Sequence, residues 1–203
     1  KAEDPEEITR QILQLVAVRL PKYLHCDPIE DIQVISPMRR TVTGVEHLNR
    51  ILQERLNPFR ENRPEVRIGG VAFRIGDKVM QIRNNYNKMV FNGDVGRIVR
   101  IDPEDRQLEV LYPEPGGNRG VIYESEELDE LVLSYAVSVH KSQGSEYPVV
   151  VMPITTQHFM MLQRNLLYTA VTRAKKMVVL VGTWKALAMA VKNNRIEARR
   201  TAL

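Results

Sequence analysis

The chain has 203 residues, 43% hydrophobic and 27% charged, with a formal net charge of +4; that composition supports one packed core, or one core with a small inserted domain, and excludes wholesale disorder. A single cysteine, Cys26, excludes a disulfide framework, and no Cys/His spacing suits zinc, so a reducing compartment, the cytoplasm, is expected. No run of 18 apolar residues occurs, so no membrane partner is expected, and a first residue of Lys rather than Met points to a piece of a longer protein.

Taken in chain order, Asp4 and Pro5 open a helix that carries Ile8, Ile12, Leu15 and Val16 at helical spacing to about Leu20. Ile32 to Ile35 reads as a buried strand ending at Ser36-Pro37, and Val45, Leu48, Leu52 and Leu56 mark a second helix stopped by Asn57-Pro58. From Pro64 the texture changes to short β-like runs at Val71–Phe73, Lys78–Ile82, Val95–Ile101, Leu108–Tyr112 and Gly120–Tyr123, separated by Gly-, Asn- and Pro-rich turns. Regular short strands of this kind predict a small barrel or sandwich over residues 65–130. Helix and strand alternate again after Leu131: a strand at Val149–Met152, a helical stripe of Phe159, Leu162, Leu166, Ala170 and Val171, a strand at Met177–Val181 and a helix from Trp184 to about Lys192. The predicted fold class is α/β, a parallel sheet with helices on both faces built from 1–64 and 131–203 and interrupted by the all-β insert.

Charge is distributed unevenly. Residues 131–203 hold ten Lys and Arg against two Glu, whereas residues 101–130 hold two Arg against ten acids. A basic face suits a polyanion, although scattered surface lysines give the same count.

Four segments can carry chemistry. In Ser138-Val139-His140-Lys141-Ser142-Gln143-Gly144-Ser145-Glu146, the side chains of Ser138, His140 and Lys141 can donate to phosphate, the backbone near Gly144 can approach one closely, and Glu146 can accept from a ribose hydroxyl; an ordinary surface loop is the plainer alternative. Arg173 closes the helix before a strand, where its guanidinium can reach a γ-phosphate or, more simply, complement the helix dipole. Arg39 and Arg40 follow the strand that ends at Ser36, and ligands in open α/β sheets bind beyond strand carboxyl ends. In the insert, Arg83, Asn84, Asn85 and Tyr86 combine phosphate donors with a stacking ring, next to an Asn92-Gly93 turn. No G-x-x-x-x-G-K-[ST] phosphate loop and no acidic magnesium motif are present, and no metal ligand set is expected.

In this order the segments resemble the RecD family of superfamily 1 helicases. Ser36–Arg40 with Gly44 and Leu48-Asn49 resembles its motif IV, Ser138–Glu146 its motif V, and Leu167–Lys175 its motif VI; Asn84–Tyr86 with Val90–Asp94 resembles an SH3-like barrel inserted between motifs IV and V. The resemblance implies a RecA-like second motor domain with Arg173 as arginine finger, Arg39 (or Arg40) at the γ-phosphate, Gly144 and Glu146 at the nucleotide, and Ser138, His140 and Lys141 on single-stranded DNA. ATP and Mg2+ are the implied cofactors, with their main ligands in an N-terminal motor domain outside this sequence. Single-stranded DNA, that domain and RecBC-type subunits are the implied partners, movement runs 5′ to 3′, and the chain alone is expected to be inactive. On this reading Arg39 and Arg173 converge on one open edge of the sheet. A non-catalytic nucleic-acid-binding module, and a Pif1-like or RNA helicase, are the rival readings.

Overall fold

A computed structural model describes residues 4–156 and 163–193. Phe159 and Leu162 of the expected helical stripe lie outside the described residues. Asp4 caps α1 (Pro5–Gln14) through the Glu6 amide at 3.3 Å, with Pro5 in the first turn, where its missing N–H costs nothing. The helix does not stop near Leu20. A π turn (Leu15–Arg19) passes into α2 (Leu20–Leu24), and the chain leaves the helix at His25 in the left-handed region. Pro21 cannot donate and its ring crowds the carbonyl four residues back, so a wider turn immediately before it lets the helix continue. β1 (Ile32–Ser36) is buried throughout, and α3 (Val45–Leu56) starts at Gly44 and ends at Asn57, as the Asn-Pro pair requires.

The insert opens with a hairpin the sequence only half shows, β2 (Glu65–Ile68) against β3 (Val71–Arg74), turned by Gly69-Gly70. β4 (Lys78–Gln81), β5 (Val95–Asp102), β6 (Gln107–Glu114) and β7 (Gly117–Tyr123) follow, then a 3-10 turn (Leu128–Glu130) and β8 (Leu131–Leu133). They form an antiparallel sheet in the order β7-β6-β5-β4-β8. Val79 pairs with Leu133, so this sheet runs three residues past the expected end of the insert at 130. Inside it a polar chain links Tyr112 Oη to Tyr123 Oη at 2.7 Å, Tyr123 to Gln81 Oε1 at 2.8 Å, and Gln81 Nε2 to Glu130 at 2.7 Å. Burial pushes the Tyr123 phenol up to about 12, so the chain stays protonated and rigid.

β9 (Ala136–Ser138), β10 (Tyr147–Ile154), α4 (Arg164–Val171), β11 (Ala174–Gly182) and α5 (Trp184–Lys192) complete the chain. The second sheet is fully parallel, ordered β11-β10-β1-β9. Alternate residues of β10 face opposite layers: Val149 and Val151 join a core with Ile8, Ile12, Leu48 and Leu52, while Val150 and Met152 join one with Leu166, Ala170, Ala186 and Ala190. That two-sided burial is why the β10 sequence reads as an unbroken apolar run.

Two buried charges join the sheets. Asp77, fully buried, accepts from Gln53 Nε2 (2.6 Å) and Asn57 Nδ2 (2.7 Å) at the end of α3, from the Arg74 amide (2.7 Å), and from Tyr135 Oη (2.7 Å) between β8 and β9. Burial raises its carboxyl above the usual range despite these donors. Lys78 on β4 is nearly as buried; its amine donates to Ile29 O at 2.9 Å and lies 5.7 Å from the centre of the Tyr147 ring. Burial pushes this amine down to about 8, against 10.5 for a free lysine. Between those values the unfolded chain binds the proton and the folded chain does not, so stability rises with pH from about 8 toward 10.5. A shift of that size corresponds to roughly 3 kcal/mol. Urea midpoints taken from pH 7.5 to 9.5, below the ordinary tyrosine range, are expected to climb in the native chain relative to Lys78→Met, in which the half-buried Cys26 thiol, held above its ordinary value, gives a small fall instead.

Candidate nucleotide and nucleic-acid interface

The carboxyl end of the parallel sheet is a crowded polar edge. Ser36 and Ser138 are register partners at the ends of β1 and β9. Ser36 Oγ donates to Thr43 O (2.7 Å) and accepts from the Met38 amide (3.2 Å), folding residues 37–44 into a knot. Gly44 makes that knot possible, because a Cβ there would stand 2.6 Å from Arg39 O. The knot's carbonyls use up the first α3 amides: Val45 N donates to Met38 O (2.9 Å) and Glu46 N to Arg39 O (3.1 Å). Arg39 and Arg40 extend into solvent, 77% and 78% exposed, and share one carboxylate, Glu46, at 2.9 and 3.6 Å. Exposed pairs of this kind are worth at most about 1 kcal/mol and exchange readily.

On β9 the same edge carries Ser138, whose hydroxyl accepts from the Lys141 amide at 3.3 Å; His140 is exposed beside it. The Lys141 ammonium bonds Asn92 of the insert, and among the described residues it has no carboxylate partner. Asn92 N in turn donates to Asn84 Oδ1 (2.9 Å), and Asn84 Nδ2 lies 3.4 Å from the Tyr86 hydroxyl. The structure therefore brings Ser138, His140, Lys141, Asn84 and Tyr86 to one place. Arg83 is ion-paired with Asp129 at 3.0 Å, and the Asn85 side chain turns to Glu130 at 3.3 Å. Asn92 was legible only as a turn residue, since nothing in the sequence ties it to a lysine 49 positions on.

The amino end of the sheet holds the other candidates. Tyr147 N donates to Arg173 O at 2.8 Å, which sets the end of the motif V loop beside the end of α4. The half-buried Arg173 guanidinium donates to Thr169 O, Ser145 O and Thr172 Oγ1, each at 3.3 Å, and no carboxylate of the described residues pairs with it. Glu146 lies 3.3 Å from Lys175, both more than half exposed, and Gly144 takes φ +84°, a conformation few side chains tolerate. Burial raises the neighbouring Tyr147 phenol, opposed by Ser145 and the Arg173 charge.

Arg39 and Arg173 do not converge. Val34 pairs with Val151, so Ser36 stands level with Pro153, while Arg173 precedes the residue level with Tyr147. Six strand residues, roughly 20 Å, separate those levels. Arg39 follows the end of one parallel strand and Arg173 precedes the start of another, which puts them at opposite ends of the sheet. Arg39 and Arg40 share the edge of Ser138 and Lys141; Gly144, Glu146 and Arg173 lie together at the other end of the motif V loop.

Comparison with known proteins identifies both units. A family model described as "ATP-dependent RecD-like DNA helicase SH3 domain" matches residues 48–112, and one described as "UvrD-like helicase C-terminal domain" matches residues 133–181. The ATP-dependent RecD2 DNA helicase of Deinococcus radiodurans is 40% identical over 172 residues, 85% of this chain and 23% of the relative. This chain belongs with the C-terminal regions of RecD-like helicases. The RecBCD enzyme subunit RecD of Mycolicibacterium smegmatis is 28% identical over 208 residues, covering 97% of the chain and 34% of that protein. The RecD-like chain thus spans about a quarter to a third of the length of these relatives. Among solved structures, the Pif1 helicase of Candida albicans superposes over 90% of this chain and 57% of its own with a TM-score of 0.52 at 18% identity. A Bacteroides Pif1 helicase in complex with ADP-AlF3 and single-stranded DNA covers 84% of this chain and 44% of its own, also at 0.52, with 16% identity. These likenesses are of fold, and the fold is RecA-like with an SH3-like insert.

Proposed function

We propose that this RecD-like region is the second motor domain of an ATP-driven DNA helicase, holding the strand at the carboxyl edge of its sheet and presenting an arginine finger at the amino edge. Residues 1–64 and 131–203 make the motor domain and 65–130 the insert, with β8 shared in the insert's sheet. The observation that carries the reading is Arg173: a guanidinium fixed by three neutral acceptors and, among the described residues, without a carboxylate partner is prepared for an anion supplied from outside the chain. The residues also suit a nucleotide sugar, because Glu146 is an exposed carboxylate, held only by a surface pair with Lys175, one residue from the Arg173 contact at Ser145.

ATP, when bound by the domain that precedes this one, supplies the phosphoryl group whose transfer drives stepping, and Mg2+ belongs with that domain. This chain's part is positional. Arg173 stabilises charge at the γ-phosphate and Glu146 accepts from the sugar. Ser138, His140 and Lys141, with Arg39 and Arg40 reassigned to this side, contact DNA phosphates. Alone the chain turns over no ATP, and RecBC-type subunits are partners for the longer protein.

DNA binding tests the strand seat. Lys141→Ala is expected to weaken binding of single-stranded oligonucleotides of every sequence and to reduce the slope of log affinity against log salt by about 0.7, the release of one counter-ion. Arg173→Ala is expected to leave both unchanged. An unaltered salt slope in Lys141→Ala removes that residue from the seat.

A further inference from the structure

α5 is apolar on every side. Between Trp184 and Lys192 its only polar residues are Lys185 and Lys192, and a helix of that kind is ordinarily covered all round. One face is covered: Ala186 and Ala190 join the core of Val150 and Met152. The opposite face is bare. Trp184, Ala188 and Val191, four and three residues apart and therefore in one line along the helix, are all exposed, Trp184 by 74%. The line is held at both ends. Thr183 Oγ1 accepts from the Ala186 amide at 3.1 Å, which fixes the first turn. At the other end Arg164 of α4 donates its backbone N–H to Asn193 O and its Nε to Val191 O, both at 2.9 Å.

An exposed apolar stripe on a fixed helix marks a contact surface, and the charge around it sets the partner's chemistry. From Tyr147 to Asn193 the sequence holds six Lys and Arg and no Asp or Glu. Among the described residues the ion pair of this stretch joins Lys175 to Glu146, and Arg164, Lys185 and Lys192, on α5 or against its end, have no carboxylate partner. Such a face meets a copy of itself with like charges and suits an acidic chain. Nucleic acid is acidic too, but Ala188 and Val191 offer nothing to a phosphate. The stripe also runs roughly 10 Å along the helix, longer than one stacked base needs. Apolar side chains repeated at helical spacing on an acidic segment match it in both length and charge. α5 follows β11, the edge of the sheet away from β9, so this face lies apart from the proposed strand seat.

We infer that the outer face of α5 is a docking site for an acidic amphipathic segment of another protein, with Trp184 as anchor, Ala188 and Val191 as apolar floor, and Arg164, Lys185 and Lys192 as charged rim. Tryptophan is among the side chains that most often carry the energy of an interface, and rim charges set approach and salt dependence. The inference stands apart from the proposed function, since it uses neither the nucleotide nor the strand.

Trp184 is the single tryptophan of the chain, so its emission reports on this face directly. The test titrates the 203-residue chain with a helical peptide of glutamates carrying leucines three and four places apart. The controls are the same peptide with glutamine in place of glutamate, an oligoglutamate and an oligothymidylate. The glutamate–leucine peptide is expected to bind saturably and to shift the emission to the blue, the two control peptides to bind more weakly, and the oligothymidylate to leave the emission unchanged. Trp184→Ala, followed by anisotropy of the labelled peptide, is expected to weaken binding roughly thirtyfold, the loss of one anchor residue. Trp184→Phe keeps a ring and is expected to recover most of the affinity. Ala188→Glu, at an exposed position, is expected to abolish peptide binding with the circular dichroism unchanged, which separates a blocked face from lost folding. Oligoglutamate binding as tight as that of the glutamate–leucine peptide reduces the face to plain charge and overturns the inference. A blue shift with oligothymidylate overturns it in favour of nucleic acid, and a blue shift on concentrating the chain alone overturns it in favour of a second copy. Unchanged affinity in Trp184→Ala or Ala188→Glu, or no shift with any peptide, overturns it outright.

Discussion

Arg173→Ala, in a protein that joins this chain to its phosphate-gripping domain, is expected to lower DNA-stimulated ATP turnover roughly 10³- to 10⁵-fold, the worth of an arginine finger in phosphoryl transfer. The geometry makes the effect specific to turnover. The guanidinium is anchored through Nε to Thr169 O and through its two terminal nitrogens to Ser145 O and Thr172 Oγ1. None of these acceptors carries a charge, so the positive charge is left for an incoming anion. Arg173→Lys is expected to recover little, because an ammonium cannot meet three anchors while still presenting a fork to a phosphate. Steady-state ATPase assays at saturating single-stranded DNA are the measurement, with DNA affinity as control. A loss of less than tenfold, at unchanged DNA affinity, takes Arg173 out of the finger role.

Asp77→Ala is expected to be the most damaging single change to stability, by about 4 kcal/mol or more, since breaking a buried polar network leaves several groups unpaired at once. Four donors lose their acceptor: two side chains at the end of α3, one β-turn amide and the Tyr135 hydroxyl. Gln53, Arg74 and Tyr135 are themselves buried, so their donors have little access to water, whereas Asn57 is half-buried and keeps a second acceptor at Ile75 O. Asp77→Asn keeps the volume but replaces one acceptor oxygen with a donor, so about half the loss is expected. The exposed Arg97–Glu30 pair (2.8 Å) provides the contrast, and Glu30→Gln is expected to cost less than about 1 kcal/mol. Denaturant midpoints of the three variants rank these effects; an Asp77→Ala midpoint no lower than that of Glu30→Gln would show that the junction is not held by this carboxylate.

The sequence showed those elements whose length lets a period repeat. α3 and α5 carry full helical stripes, and β10 is long and apolar on both faces. β8 and β9 have three residues each, too few for alternation to appear, and β2 is half charged. The passage of the first helix through Pro21 was hidden because a π turn leaves no mark in hydrophobic spacing. At the site, residue types at Ser138, Lys141, Glu146 and Arg173 were readable from their motifs, but their grouping was not. Strand direction decides it: in a parallel sheet, a residue after one strand and a residue before another face opposite ends, and that rule separates Arg39 from Arg173. The Lys141–Asn92 contact bridges two units far apart in sequence, and no local pattern encodes it.

Only Ser134 and Tyr135 lie between the last strand of the insert and the strand that ends at Ser138, and they are stitched on both sides. Ser134 N donates to Lys78 O at 2.9 Å, Tyr135 O accepts from Val34 N at 3.3 Å, and the Gln33 amide bonds both carbonyls at 3.0 Å. A joint so short, with its backbone bonded on both sides, has little slack. Ser138 follows the joint within three residues, and the Val139–Ser145 loop links it to the carbonyl that Arg173 bonds. The insert, Ser138 and the Arg173 anchor are in this way joined by covalent chain rather than by a chance surface contact.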